Sequence, residues 1–427
     1  MLTETQALIS GWTINARTLA GVIVAAAIGA STIVFSEPAI ADALMAVVIV
    51  VLPVLGTVRF GKMALLNFAI WAAVVALGIA ASGMSVTLDT AIKHQLVTLF
   101  LAGGAFVLAG YIAADPLPRI MLVFWCYVAA CLVATAAALA GYFNLVPSAF
   151  DLFTNYGRAR GTFKDPNVYG AALGPAITFA VWIMLREPAK RAYVAAFIVL
   201  PLVIGLLLSF SRGAWISAII SVAILGVLTM LTSRRKTDFH RLGVVSIAGV
   251  VAAALALFAV LQVEQVRSLF SERASLDQSY DAGPEGRFGG QEKARNLILE
   301  NPFGIGTHTF REKYHHEEPH NVYLSQFLNA GWLGGMLYAI SVLATVVIGL
   351  RAARFNGALQ GGFVVAGAAF AGVAFEGFVI DSDHWRHFFI VMACVWGLAD
   401  ARAPDIDPSR RRDDPVDEAF DEAAAQA

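Results

Sequence analysis

Pro319-His320-Asn321-Val322-Tyr323-Leu324 closes a long polar stretch and opens an apolar run that continues to about residue 350. A run of that kind reads as a helix that crosses a bilayer, because about 20 apolar residues span the roughly 30 Å hydrocarbon core. The same pattern recurs along the chain. Of its 427 residues 58% are hydrophobic and only 14% charged, with a mean hydropathy of +0.69. A soluble domain needs far more charge to cover its surface. The chain therefore reads as an all-α, polytopic integral membrane protein. Its net charge of −1 offers no basic face for nucleic acid.

The spans read at roughly 18–35, 40–57, 64–82, 95–114, 120–143, 168–185, 192–210, 213–232, 243–263, 321–350, 361–380 and 385–400, about twelve transmembrane helices in all. The first follows a mildly polar start and reads as an uncleaved anchor. Basic residues then orient the set. With the N-terminus in the cytoplasm, the cytoplasmic connections hold Arg59 and Lys62, then Arg119, then Arg186, Lys190 and Arg191. Arg234, Arg235, Lys236 and Arg241 follow, then Arg351 and Arg354, and Arg410 to Arg412 in the tail. Both termini are expected inside. One transmembrane domain covers 1–403, and the charged, Ala-rich segment 404–427 reads as a disordered cytoplasmic tail. Cys126, Cys131 and Cys394 all fall inside apolar stretches, which argues against disulfides and thiolate zinc.

Two outward segments are long, roughly 144–167 and 264–320. The second holds a turn signal, Asp281-Ala282-Gly283-Pro284, and then a short helix expected from about Arg287 to Glu300. Phe288, Ala294, Leu297 and Ile298 give it a weak apolar face suited to the membrane surface. Asn301-Pro302-Phe303-Gly304-Ile305-Gly306 stops it.

The residues that carry chemistry sit in or beside these segments. Arg212, in Ser209-Phe210-Ser211-Arg212-Gly213, stands in an outer turn against the charge bias of the other turns. It reads either as an arginine reaching for lipid headgroups or as a planar fork for phosphate oxygens at a helix N-terminus. Arg158-Ala159-Arg160-Gly161-Thr162-Phe163-Lys164-Asp165-Pro166-Asn167 is a basic loop before a membrane helix, with Asn167 as expected N-cap. Solvation explains that cluster about as well as anion binding. Arg287 opens the loop helix. His320 stands at the start of the next membrane helix, where the positive dipole end keeps an imidazole neutral and able to accept a proton. The run 315–320 has the composition of a metal cluster, but its spacing matches no zinc motif, and neither metal nor other cofactor is expected. Glu376 lies inside a span, where ionisable groups are costly; a nearby arginine is the bland explanation. Asp381, Asp383, His384 and Arg386 follow it and are expected to pair with one another.

Taken in order, these pieces resemble the O-antigen ligase and polymerase superfamily of bacterial envelope glycosyltransferases. The likeness rests on Arg160 to Asn167, Ser211-Arg212-Gly213 and Arg287. It continues through Asn301 to Gly306, then His320-Asn321-Val322-Tyr323-Leu324 and Gly331-Trp332-Leu333-Gly334, and covers roughly 155–345. It implies metal-independent, inverting glycan transfer on the periplasmic side of the inner membrane. The donor would be a glycan on polyprenyl (undecaprenyl) diphosphate, and the acceptor a sugar hydroxyl on lipid A–core or on a growing glycan. Arg212 and Arg287, with Arg160 or Lys164, would hold the diphosphate. His320 would activate the acceptor, with Asn321, Asn167 and Glu376 in support, and membrane lipids would surround the groove for the polyprenyl chain.

Ligase and polymerase differ in acceptor, which these residues leave open; the loop organisation leans to ligase. A secondary transporter is the reading from another class, but transporters usually show two related halves, whereas the polar residues here gather in one asymmetric region.

Overall fold

A computed structural model describes residues 15–233, 236–274, 283–355 and 357–402. Helices dominate it, and the only strands among the described residues are Thr154–Asn155 and Arg158–Ala159, paired as a small antiparallel hairpin. A helix stands at each expected span. Eight of them, among the described residues, are long and apolar enough to cross a membrane: Lys62–Ser82, Leu88–Ala114, Pro116–Tyr142, Pro166–Arg186, Ala189–Leu208, Arg212–Thr232, Lys236–Val260 and Val322–Ala352.

The other four are shorter. Ala16–Ala30 and Ile40–Val54 have 15 residues each, and Gln360–Glu376 and Arg386–Arg402 have 17 each. At 1.5 Å per residue such helices reach about 22–26 Å, short of the roughly 30 Å core. Gln360–Glu376 is buried along almost its whole length, so protein rather than lipid surrounds it. The tail beyond residue 402, Arg234, Arg235, and the Asp281-Ala282 half of the expected turn lie outside the described residues.

Small residues set the packing where it matters for function. The Arg212–Thr232 helix runs against Gln360–Glu376. A Cβ on Gly372 would fall 1.9 Å from Ser221 Oγ and 2.6 Å from Ser217 O, so only glycine lets these backbones approach. The Leu88–Ala114 helix packs against Arg386–Arg402, and Lys62–Ser82 against Val322–Ala352. At one end of the bundle Asp400 accepts from the Met63 and Ala64 N–H groups, and Arg59 donates to Asp400 O at 2.8 Å. The segments 144–165 and 283–321 lie at the other end.

The Val322–Ala352 helix is broken once. Gly331 has φ +71°, and the chain Pro302 to Gly306 wedges into the break. Ile305 N donates to Leu328 O at 2.7 Å, and Trp332 N to Pro302 O at 2.9 Å. A Cβ on Gly331 would sit 2.7 Å from Phe303 C, and one on Gly304 2.7 Å from Leu328 O. The Pro-Phe-Gly-Ile-Gly stretch and the helix after His320 are thus one interlocked unit.

Candidate active site

His320 is held by its backbone and leaves its ring in the open. Asn321 caps the helix, its Oδ1 accepting from Tyr323 N at 3.1 Å and Leu324 N at 3.2 Å. To reach that cap the chain turns through His320 at φ +50°, a left-handed conformation that histidine visits more readily than most L-residues. The His320 N–H donates to Asp381 Oδ2 at 3.0 Å, and the Ser325 hydroxyl to Asp381 Oδ1 at 2.5 Å. Val322 N donates to Gly377 O at 2.9 Å. Residues 377–381 are therefore latched to 320–325. The imidazole is 36% exposed, with Nε2 3.1 Å from Glu317 Oε2.

Arg287 begins the helix Arg287–Glu300, as expected. One turn on, Gln291 Nε2 donates to His320 O at 3.5 Å. Residues four apart share a helix face, so Arg287 and Gln291 stand on the side that meets His320. The apolar face of this helix packs differently from the expectation. Ala294, Leu297 and Ile298 join Ile305, Phe310 and Leu328 in a small core rather than lying on a membrane surface, and Phe288 is left exposed.

Arg212 opens its helix, half-buried, with Ser211 as N-cap accepting from Ala214 N. A Cβ on Gly213 would lie 3.0 Å from Val379 Cγ2 and 3.5 Å from Glu376 Oε1. This helix N-terminus thus abuts the same 376–381 segment that grips His320. Glu376 is 1% exposed, and its Oε2 has no hydrogen-bond partner among the described residues.

The first loop is arranged differently. Asp165, not Asn167, caps the Pro166–Arg186 helix, its Oδ1 accepting from Asn167 N at 2.7 Å. Proline at the first helical position goes with a cap two residues earlier than expected. The Asn167 side chain instead accepts from Arg158 at 2.7 Å, while Arg158 Nε donates to Ser209 O at 2.8 Å. Arg158 thereby ties this loop to the Arg212 turn. Arg160 bends onto its own loop, donating to Leu152 O at 3.1 Å and Lys164 O at 3.4 Å. Lys164 is exposed and lines a cavity of about 180 Å³ with Glu37, Asp381, His384 and Arg386. That cavity touches Asp381 but not His320, Arg212, Arg287 or Arg160.

The acidic turn does not pair internally as expected. Arg386 makes a bidentate ion pair with Asp42 at 2.7 and 2.8 Å. Asp383 Oδ2 instead meets His94 Nε2 at 3.0 Å and Gln326 Nε2 at 3.1 Å. Burial, together with the charge of Asp383, pushes Asp381 up to about 6, against the Ser325 hydrogen bond. Burial opposes the charged form of Asp383 too, but the His94 hydrogen bond and the adjacent imidazoles hold it below the usual carboxylate range. Burial and the facing His94 bring His384 down to about 4. Linear reading missed His94 altogether; it named Arg158 and Asp381 but not the tie and the latch they form.

Arg212 and His320 thus come from two helix starts that meet residues 376–381, and the Arg287 helix reaches His320 through Gln291, while Lys164 stands across Asp381 and Arg160 serves its own loop. No curated protein matches the chain. Residues 195–339 match the family model described as O-Antigen ligase, and this match, which contains Arg212, Arg287 and His320, supports the O-antigen ligase and polymerase superfamily for this region of the chain.

Proposed function

We propose that the protein is an inner-membrane glycosyltransferase that moves a glycan from polyprenyl diphosphate to a sugar hydroxyl, as an O-antigen ligase acting on lipid A–core. The observation that carries this reading is the latched turn 377–381, which grips His320 and abuts the Arg212 helix start, while the Arg287 helix holds the His320 carbonyl from its other side. It is supported by the family match over the same residues. About twelve crossings, both termini in the cytoplasm and a site facing the periplasm complete the proposal.

The chemistry follows from the groups present. The acceptor hydroxyl oxygen attacks the anomeric carbon from the side opposite the diphosphate. The bond from that carbon to the diphosphate oxygen breaks, the electron pair leaves with the diphosphate, and the configuration inverts. His320 takes the hydroxyl proton. A carboxylate facing Nε2, here Glu317 at 3.1 Å, keeps a proton on that nitrogen and leaves Nδ1 as the base. Arg212 and Arg287 meet the charge that develops on the diphosphate, helped by the free N–H groups at their helix starts. Lys164 assists at the donor and Arg160 braces the loop that carries it; Asn321 caps the helix after His320, Asn167 holds Arg158, and Glu376 stands beside the Arg212 helix start. In this scheme the transfer step calls on no metal ion.

The test is a deletion strain whose lipopolysaccharide and polyprenyl-linked intermediates are separated. Long polymer stranded on the carrier beside unsubstituted lipid A–core is the expected result. Accumulated single repeat units would make the protein a polymerase instead, and unchanged intermediates would sink the glycosyltransferase reading.

A further inference from the structure

His94, Asp383 and His384 take no part in the transfer scheme, yet they form one of two three-residue clusters of metal-donor groups among the described residues. His94 lies near the start of the Leu88–Ala114 helix, and the other two lie in the turn before Arg386–Arg402. His94 Nε2 is 3.0 Å from Asp383 Oδ2, and the His94 and His384 rings stack with centroids 4.0 Å apart at 28°. One nitrogen or oxygen from each of the three lies within 4.8 Å of the other two. The His94 and Asp383 side chains are only 13% and 10% exposed. His384 lines the 180 Å³ cavity, which gives a small ion a route to the cluster.

We propose that these three side chains bind one divalent transition-metal ion of the zinc class. A simple ion pair accounts for His94 and Asp383 but leaves the second imidazole stacked on the first. A divalent ion uses both rings neutral and the carboxylate ionised. Two imidazole nitrogens and one carboxylate oxygen form a familiar zinc donor set, with the fourth position left to water. Bonds of about 2.0–2.2 Å to a tetrahedral ion hold ligand atoms roughly 3.4 Å apart, so small rotations of side chains already in place suffice. The outer partners that orient such ligands are also present. Gln326 Nε2 donates to Asp383 Oδ2, and the Thr98 hydroxyl lies 2.9 Å from His384 Nε2.

A second trio, Glu285, His315 and His316, meets the same distance criterion but is built less well. Glu285 and His316 are 78% and 58% exposed, and both His315 nitrogens already face backbone oxygens. It serves as the control. The ion at His94 acts as a clamp. Asp383 shares its turn with Asp381, the acceptor for the His320 N–H, so fixing that turn fixes the backbone that presents His320. The ion touches neither donor nor acceptor glycan.

The experiment uses the full-length protein in detergent micelles, stripped with chelator and then titrated with Zn²⁺ by calorimetry and with Co²⁺ by visible absorption. The expected result is one equivalent of either ion, a rise in Tm on binding, and a Co²⁺ band typical of low coordination number. Affinity falls by at least about tenfold in His94→Ala, His384→Ala and Asp383→Asn, while His316→Ala binds as wild type. Asp383→Asn keeps the shape and much of the hydrogen bonding, so its metal-free Tm shows that the fold is intact. Absence of uptake by the wild type overturns the proposal, as does binding that survives Asp383→Asn or is lost in His316→Ala. None of these readouts involves glycan transfer, so the ion site stands or falls separately from the proposed activity.

Discussion

The two polar segments at the site end of the bundle, 144–165 and 283–321, both carry cations and both lead into a long apolar helix. They use their basic side chains in opposite ways. In the first, Arg158 is 8% exposed and its guanidinium is bonded to Ser209 O and Asn167 Oδ1. Arg160 lies along the carbonyls of Leu152 and Lys164. In the second, His320 is secured through its backbone N–H and carbonyl, and its ring stays 36% exposed. A side chain spent on carbonyls builds the scaffold, whereas one whose backbone is gripped keeps its chemistry available. Residue type and position in a loop do not separate these cases; bonding does.

The largest effects are expected in the second segment and at the helix start that meets it. Arg212→Ala, Arg287→Ala and His320→Asn each lower transfer by about 10²–10⁴-fold, the range for losing a charge-stabilising donor or a general base. Asparagine is chosen at 320 because it also tolerates the left-handed backbone. Transfer from a polyprenyl diphosphate donor by purified variants is the measurement, beside Tm. Arg212→Lys retains less activity than its preserved charge suggests, since an ammonium cannot replace the planar fork. A large drop in the Tm of His320→Asn would break the contrast, because the ring would then be part of the scaffold.

Next comes Arg158, where the contrast predicts a stability effect. Arg158→Ala leaves Ser209 O and Asn167 Oδ1 buried without this donor, at a cost of about 1–3 kcal/mol for each unpaired group. Yield and Tm should fall while the rate per folded molecule is largely kept. A stable but inactive Arg158→Ala protein would move Arg158 into the site and erase the division between the two segments.

The same division explains what could be read from the chain. The Arg287–Glu300 helix was legible because its stop, Asn301-Pro302, is local, and so were the helix positions, because apolar runs are local too. The wedge of Pro302 to Gly306 into the Gly331 break joins two recognisable stretches, but that they interlock is a tertiary fact. His94 and Asp383 stand 289 positions apart, and no spacing rule reaches that far. Arg386 was expected to neutralise its neighbours in the turn and instead found Asp42, 344 positions away. Its helix turns it toward the Ile40–Val54 helix, so proximity in sequence was the wrong guide. Hydropathy records apolar surroundings without telling protein from lipid, so it marks Gln360–Glu376 as a span without showing that the helix is buried along almost its whole length.

Glu376 tests the boundary between the two groups. It sits beside the Arg212 helix start with one carboxyl oxygen unpartnered. Glu376→Gln preserves its size and removes its capacity to ionise. The expected result is a lower yield with little change in the rate per folded molecule. A selective loss of rate, at unchanged yield, would make the carboxyl part of the diphosphate environment.

The smallest effect separates two neighbours in the first segment. Lys164 lines the cavity that reaches Asp381, whereas Arg160 does not. A solvent-exposed unit charge about 4 Å from a phosphate contributes about 1 kcal/mol in water-like surroundings, which corresponds to roughly a fivefold change in affinity. Lys164→Ala should therefore raise the donor KM by about that factor with kcat unchanged, and added salt should shrink the difference. Arg160→Ala should leave both constants near wild type, because its guanidinium is engaged with loop carbonyls. If Arg160→Ala raises KM and Lys164→Ala does not, the donor approaches from the outer side of the hairpin, and the cavity beside Asp381 is not on its path.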